Sequence, residues 1–385
     1  KEVEQISRMF SHLSQDYYIY DKIGEGTFSS VYKGVDIKFD LYDNSSWDLF
    51  DDADDEEEEF NFKKVPQPPP NLYKLVAIKK IYVTSSCSRI ENEIELLSIL
   101  SGHPNVVSLI TALRHEDQII AITPYYRHHD FRDTFLLFSF QDMQSYLRCL
   151  LRGLLRCHQL KIIHRDVKPS NFLYHMTKRR GQLADFGLAQ RIENTNREER
   201  LDFDKLREEA PKSNDPNLHK NPNGAYGSFM NDKGIPGVVK NDHRPSIRAN
   251  RAGTRGFRAP EVLFKVVNQT SAIDIWSAGV ILLCMLTRKF PFFNSPTDHD
   301  ALIEIGIIYG KKRMQEVAKI FSKTFDTNVP SVTEDGMTFE ELIHFNNPGE
   351  YNIIPYQAID LLKRLLMLNP AERISAEHAL QHPFL

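Results

Sequence analysis

The stretch that most constrains this chain is His164-Arg165-Asp166-Val167-Lys168-Pro169-Ser170-Asn171, followed by Asp185-Phe186-Gly187. An Arg-Asp pair alone marks nothing, because such pairs usually lie in solvated loops. Here the polar groups sit inside an apolar frame, with Ile162 and Ile163 before them and Phe172 and Leu173 after. Burying a carboxylate, an ammonium and a carboxamide between two strand-like runs costs on the order of several kcal/mol unless each finds a partner or a ligand. The fold must therefore gather Asp166, Lys168, Asn171 and Asp185 for one another or for something bound.

The remaining composition narrows the field. A chain of 385 residues, 41% hydrophobic and 26% charged, has the balance of an ordinary soluble globular protein able to bury a large core. Its formal charge of −4 supplies no global basic field for nucleic acid or an anionic membrane. Cys87, Cys149, Cys157 and Cys284 form no C-x-x-C pair and read as reduced thiols of an intracellular protein. The first ten residues hold no apolar signal core. The run Ile275 to Leu286 is too short to span a bilayer and reads as a buried helix. Starting at Lys1 without Met and stopping at Leu385, the sequence reads as a trimmed fragment.

Val3, Ile6, Phe10 and Leu13 fall on one helical face, so residues 1–19 are expected to be a helical extension packed on the lobe that comes after it. Ile23 to Tyr32 then reads as strand, glycine-containing turn and strand, with no helix after it, which disfavours a dinucleotide-binding turn. Such a hairpin lets the backbone N–H groups of Gly24, Glu25, Gly26, Thr27, Phe28 and Ser29 approach phosphate oxygens. The next strand ends in Val76-Ala77-Ile78-Lys79, an ammonium between apolar neighbours. Before it lies an insertion over about 40–71. It holds eight carboxylates between Asp51 and Glu59 and a proline-rich run from Pro66 to Pro70, a composition that cannot collapse. A more pointed reading has the acidic run occupying the protein's own basic substrate site.

Ile90, Ile94, Leu97 and Leu100 mark a helix over 88–101. Of its acidic residues, Glu93 lies nearest the apolar face and is the expected partner of Lys79, with Glu91 and Glu95 solvated. Strands are expected at 106–113 and 118–122. Thr123, Pro124, Tyr125 and Tyr126 then form a connection in which the Pro124 carbonyl and the Tyr126 N–H could meet an adenine edge. A long buried helix comes next, over 140–160. Polar, Asn- and Pro-rich sequence over about 192–250 reads as a second insertion. Order is expected to resume at Ala252, with a central buried helix over 273–286 and Asp274 near its start. A third irregular stretch spans about 328–355, and a helix over 358–368 precedes the last one.

Taken in order, the glycine-rich hairpin, Val-Ala-Ile-Lys, the Asp166 loop, Asp-Phe-Gly, Ala259-Pro260-Glu261 and the late Arg373 resemble the eukaryotic protein kinases. The blocks Asp21 to Tyr32, His164 to Tyr174 and Ala252 to Leu263, with the three insertions, look most like the DDK family of "cell division cycle seven" kinases. That resemblance implies an α+β, two-lobed fold. Residues 20–125 would form a small antiparallel sheet with one main helix, and 126–385 a larger, mostly helical lobe. It implies Ser/Thr kinase activity with ATP and Mg2+, a regulatory activator subunit, MCM helicase subunits among the substrates, and a nuclear location.

The same resemblance assigns roles. Asp185 and Asn171 would ligate Mg2+, and Lys79 held by Glu93 would orient the phosphates. Asp166 would accept the substrate hydroxyl proton, Lys168 would neutralise the moving phosphoryl group, and Thr254 would contact both. Ile23, Val31, Ala77 and Leu173 would sandwich the adenine. Arg244, Arg248, Arg251, Arg255 and Arg258 crowd the approach to the substrate loop. From Arg255 or Arg258 a preference for acceptors followed by Asp, Glu or phosphoserine is expected. Kinases switched by activation-loop phosphorylation carry a hydroxyl some eight to ten residues before Ala-Pro-Glu. Here Ala249, Asn250 and Arg251 stand there, with Ser246 and Thr254 outside the window, so a bound protein is expected to set the active arrangement. A casein-kinase-like or cyclin-dependent-like enzyme is the alternative within kinases. A catalytically dead scaffold would be expected to lose Lys79, Asp166, Asn171 or Asp185, and all four are present.

Overall fold

The computed structural model describes residues 3, 6, 10, 13–26, 29–48, 74–82, 85–192 and 252–385. Thr27, Phe28, the acidic and proline-rich runs, Ser246, Ala249, Asn250 and the arginines at 244, 248 and 251 lie outside them. The chain forms two compact units, each assembled from several segments. The first holds Lys1–Thr134, Arg148–Leu160 and Pro169–Gln190; the second holds Phe135–Leu147, Lys161–Lys168 and Arg191–Leu385.

The first unit is built on an antiparallel sheet of β1 (Tyr17–Glu25), β2 (Ser29–Asp36), β3 (Lys74–Ile81), β4 (Thr111–His115) and β5 (Gln118–Pro124), in the order β1-β2-β3-β5-β4. Alternation along the strands decides what each face does. Val76 and Ile78 of β3 and Ile120 and Ile122 of β5 turn to one face, where they bury Ile6, Phe10 and Leu13 of the N-terminal segment together with Tyr17 and Ile19. Ala77 and Lys79 therefore point to the opposite face, beside Thr123 and Ala121 of β5. The N-terminal segment packs on the sheet as its spacing predicts. The strand, however, begins at Tyr17 rather than after residue 19, because Tyr17 and Ile19 follow the two-residue burial period of β1.

Helix α1 (Cys87–Leu100) buries Ile90, Glu93, Leu96, Leu97 and Leu100 along one stripe. The strand expected over 106–113 begins only at Thr111. Val106 and Val107 are buried by a different route: the Val107 N–H donates to the Leu183 carbonyl at 3.0 Å. Leu183 ends the hairpin of β6 (Phe172–His175) and β7 (Arg180–Leu183). Helix α2 (Phe140–Gln159) contributes its second half, Arg148 onward, to this unit.

The second unit is mostly helical. Its centre is α3 (Ala272–Thr287), in which every residue from Ile273 to Thr287 is buried, the signature of a helix enclosed on all sides. Around it lie α4 (Asp298–Ile320), interrupted at Gly310, and α5 (Phe339–Asn346), α6 (Tyr356–Leu365) and α7 (Ala376–Leu380). The stretch expected to be irregular over 328–355 thus contains a helix. Its start is written in the sequence as a capping box: the Thr338 hydroxyl accepts from the Glu341 N–H, and the Glu341 carboxylate accepts from the Thr338 N–H at 2.7 Å. Among the described residues, no helix is long and apolar enough to cross a membrane.

Candidate active site

In the first unit, Lys79 is placed by register: on β3 it stands between Val31 of β2 and Ala121 of β5. Its Nζ lies 2.6 Å from Glu93 Oε1 and 2.9 Å from Asp185 Oδ1. Glu93 is buried, whereas Glu91 and Glu95 are not, so the apolar stripe of α1 selects which glutamate reaches the lysine. Burial disfavours the ammonium, but Asp185 and Glu93 together outweigh it and raise the Lys79 pKa above the ordinary range. The cation is fixed between two carboxylates.

Asp185 has φ 61°, a left-handed conformation that a non-glycine residue adopts only when its surroundings enforce it. The enforcement is visible on both sides. The Ala184 N–H donates to the Asn171 carbonyl at 2.9 Å; beyond Asp185, Arg89 Nε donates to the Gly187 carbonyl at 2.6 Å and Asn92 Nδ2 to the Ala189 carbonyl at 2.9 Å. Helix α1 therefore holds the Asp-Phe-Gly segment by two side chains that sequence reasoning passed over. Both sit within about one turn of Glu93, and that spacing is the only signal they left. Asn171 is itself buried, and Phe186 is fully buried.

The glycine-rich hairpin pairs Gly24 with Val31 and Glu25 with Ser30, and the Gly26 N–H donates to the Ser29 carbonyl at 2.8 Å. A register shift between Lys22 and Gly24 leaves Ile23 43% exposed. The Glu25 carboxylate is taken by Lys22 Nζ at 3.1 Å and the Tyr82 hydroxyl at 3.2 Å, so only its main chain is left to meet phosphate. Val31, Ala77 and Leu173 are half-buried apolar side chains, as is fitting for surfaces that a flat ring could cover. Thr123 pairs with Ala77 and Pro124 with Val76, while the Tyr125 N–H donates to the Leu75 carbonyl at 2.9 Å; Tyr126 is buried.

The second unit assembles the other half of the motif. The buried Asp166 accepts at Oδ1 from both the N–H and the hydroxyl of Thr254, each at 2.8 Å. Its Oδ2 lies 2.7 Å from Lys168 Nζ, which also donates to the Thr254 hydroxyl at 2.9 Å. The loop carrying these groups is clamped by Asp274, fully buried in the first turn of α3. Its two carboxylate oxygens accept from the His164 and Arg165 N–H groups at 2.9 and 2.8 Å. A lone carboxylate opening an otherwise apolar helix was the sequence signal for that clamp. Arg165, with φ 70°, directs its Nη1 to Gln269 Oε1 at 2.8 Å. Burial pulls its pKa down while Asp274 opposes the shift.

Arg255 and Arg258 share one acidic partner: Asp298 Oδ1 lies 3.3 Å from Arg255 Nε and 2.8 Å from Arg258 Nη1. Arg258 Nε also donates to the Gly253 carbonyl at 3.0 Å, and its side chain is 16% exposed against 39% for Arg255. Arg255 is the more available of the two for an outside anion.

For a divalent cation, the donor set is one half-exposed carboxylate, Asp185, and one carboxamide, Asn171, both in the first unit. Among the described residues, no three His, Cys, Asp or Glu side chains gather as a metal cage. Hard oxygen donors in so small a number suit Mg2+ carried in with phosphate oxygens. The residues present fit that ion.

Comparison with known proteins adds the lineage. The protein kinase domain family matches residues 71–205 and 231–385. The chain is 45% identical to the cell cycle serine/threonine-protein kinase hsk1 of Schizosaccharomyces pombe, over all of this chain and 75% of that protein. It is 40% identical to the cell cycle protein kinase spo4 of the same yeast, covering 88% of it. It is 27% identical to the human cell division cycle 7-related protein kinase, over all of this chain and 92% of that one. A lysine held by a buried glutamate, a strained Asp-Phe-Gly aspartate and a clamped aspartate in the loop after Ile163 thus stand in a chain that belongs to the protein kinase family, among the serine/threonine kinases of the cell division cycle seven group.

Proposed function

We propose that the chain transfers the γ-phosphoryl group of ATP to Ser or Thr in acidic protein contexts, under control of a regulatory subunit of the DDK type. In this reading the MCM helicase is the substrate and the nucleus the place of action, in the initiation of DNA replication. The observation that carries it is Lys79, locked between Glu93 and Asp185 at 2.6 and 2.9 Å. A lysine so neutralised has a structural cost that a phosphate-binding role explains. Bound MgATP supplies the transferable phosphoryl group and its charge neutralisation. Asn171 and Asp185 would hold the ion, Lys79 would orient the phosphates, and Ile23, Val31, Ala77 and Leu173 would cover the adenine. Asp166 accepts the proton of the attacking hydroxyl while Lys168 faces the charge that develops. Thr254 fixes both side chains.

Control without a phosphate is supported by Arg165. The catalytic-loop arginine that a phosphorylated activation loop would engage already has Gln269 as its partner within the second unit. Acidic specificity is supported by the exposure of Arg255 next to Thr254. The test combines a peptide array with phosphatase treatment of the purified kinase and its activator. Acceptors followed by Asp, Glu or phosphoserine should be favoured, activity should survive the phosphatase, and Asp166→Asn should lower kcat by about 10²–10⁴-fold. Equal use of acceptors followed by neutral or basic residues sinks the specificity claim, and collapse after phosphatase sinks the regulatory one.

A further inference from the structure

Arg255 is tethered along one edge. Its Nε donates to Asp298 Oδ1 at 3.3 Å and its Nη1 to the Ser295 carbonyl at 3.2 Å, while Nη2 has no partner among the described residues. Both tethers lead back to the first two turns of α4. Asp298 opens that helix, and Glu304 holds the Ser295 loop, accepting from the Ser295 hydroxyl and from the Asn294 N–H at 3.3 Å. The same Asp298 oxygen accepts from Arg258 Nη1 at 2.8 Å, a firmer contact than the one to Arg255. An anion that draws Arg255 outward therefore does not strand the Asp298 carboxylate, because Arg258 stays on it. Arg258 is locked in turn, with its Nε on the Gly253 carbonyl at 3.0 Å. The pair consists of one fixed arginine and one that can turn toward a ligand.

Charge at this helix end decides what that ligand can be. Two guanidiniums share one carboxylate, and a single carboxylate from a substrate completes the match. A phosphoserine carries about −1.5 to −2 at pH 7 and brings surplus negative charge next to Asp298. Asp300 and Glu304 add to the repulsion. Asp300 accepts from the Thr297 hydroxyl and Glu304 from Ser295 and Asn294, and among the described residues neither has a cationic partner. Like charges brought together exclude one ligand as effectively as opposite charges select another. Resting on the acidic-context reading of Arg255, we propose that Asp298 is the positioning residue that grades this preference. It presents Arg255 to a singly charged Asp or Glu after the acceptor and holds back a doubly charged phosphoserine. Asp298 does so without touching the substrate, through Arg255.

The test uses the kinase purified with its activator and peptides identical except that Asp, phosphoserine or Ala follows the acceptor. The quantity read is the ratio of kcat/KM for the phosphoserine peptide to that for the Asp peptide. Asp298→Asn should raise this ratio about fivefold or more, chiefly through KM, and Asp298→Glu should return it to near the parent value. Asp298→Ser, also neutral, takes the place of Asp298→Asn should that variant melt well below its parent. In an Arg255→Gln background, neutralising Asp298 should leave the ratio within about twofold of that background. A loss passed through Arg258 to Gly253 and Thr254 lowers kcat with every peptide alike and cancels in the ratio. The proposal is overturned if the neutral variants leave the ratio unshifted, or if the shift persists undiminished without Arg255. The Ala peptide separates the two claims. A parent that uses all the peptides equally defeats the acidic-context reading, whereas an unshifted ratio in the neutral variants defeats the role of Asp298 alone.

Discussion

At the scale of single residues, the Asp166–Thr254 contact depends on one glycine. Gly253 has φ 101°, and a Cβ there would collide with the Arg165 carbonyl oxygen, well inside contact distance. Its neighbour Thr254 places two hydrogen bonds on Asp166, each at 2.8 Å, so any retreat of residue 253 withdraws both. Gly253→Ala is therefore expected to lower kcat about 10²-fold, the order of loss for a misplacement of about 1 Å. KM for ATP should change less than about twofold, since Lys79 and Asp185 belong to the other unit. Thr254→Ser, which keeps the hydroxyl and the main chain, should stay near the parent rate. Steady-state kinetics in ATP and peptide separates these outcomes; a raised KM for ATP with normal kcat contradicts the assignment. Lys79, Glu93, Asp166 and Thr254 were legible because motif spacing and helical periodicity are local. Asp298, which occupies Arg255 and Arg258, was not legible: it lies forty or more positions away and shares no periodic pattern with them.

At the scale of elements, the end of α3 carries a comparable dependence. Arg288 caps the helix with φ 55° and sends its guanidinium to the Phe135, Leu136 and Phe138 carbonyls at 3.0, 3.2 and 3.3 Å, and to both oxygens of Glu350. It ties the segment before α2 and the segment after α5 to the central helix. Glu350 is 41% exposed, so the ion pair itself contributes little; the loss of the guanidinium from the three carbonyls decides the outcome. Arg288→Ala should cost about 2 kcal/mol and lower the Tm by roughly 4–8 °C. Acid should narrow the difference slightly, by the small share that the ion pair contributes. The Arg288 hydrogen bond holds the Glu350 pKa below its ordinary value of 4.5. That contribution is complete above pH 4.5 and disappears as pH falls through the lower, folded value. Thermal melts of both proteins at about pH 7 and about pH 3.5 would reveal it; an unchanged or widened gap at low pH argues against this source of stability. Elements were legible where one pattern ran for three turns or more, as in α2 and α3. The strand expected at 106–113 misled because burial of Val106 and Val107 comes from β7, seventy-six residues on, and apolar sequence does not say which neighbour covers it.

At the scale of the whole molecule, neither unit is a continuous piece of chain, and this has a consequence for folding. The first unit needs Arg148–Leu160 and Pro169–Gln190 in addition to its first 134 residues. The junction is Asn105. Its carbonyl accepts from the Leu183 N–H at 2.9 Å, its side-chain amide donates to the Gly181 carbonyl at 3.0 Å, and Val107 donates to Leu183 at 3.0 Å. Helix α2 lies against the same carbonyl so closely that a Cβ on Gly153 would come within 2.6 Å of it. A chain cut after Thr134 leaves the buried Asn105 without these partners and uncovers Val106 and Val107, all at the same place. Unsatisfied buried polar groups and exposed apolar surface at one point oppose a unique packed state. Residues 1–134 alone should therefore keep strand signal in far-UV circular dichroism, bind a hydrophobic dye and melt without a cooperative transition. A sharp, reversible transition in that fragment, with no dye binding, would show that the sheet with α1 closes its own core. The sequence disclosed the groups around Lys79 and those around Asp166 because each set is a short motif. It did not disclose this interleaving, because a boundary near residue 125 is what motif order suggests, whereas the hydrogen bonds of Asn105 and the close approach at Gly153 exist only once distant segments have met.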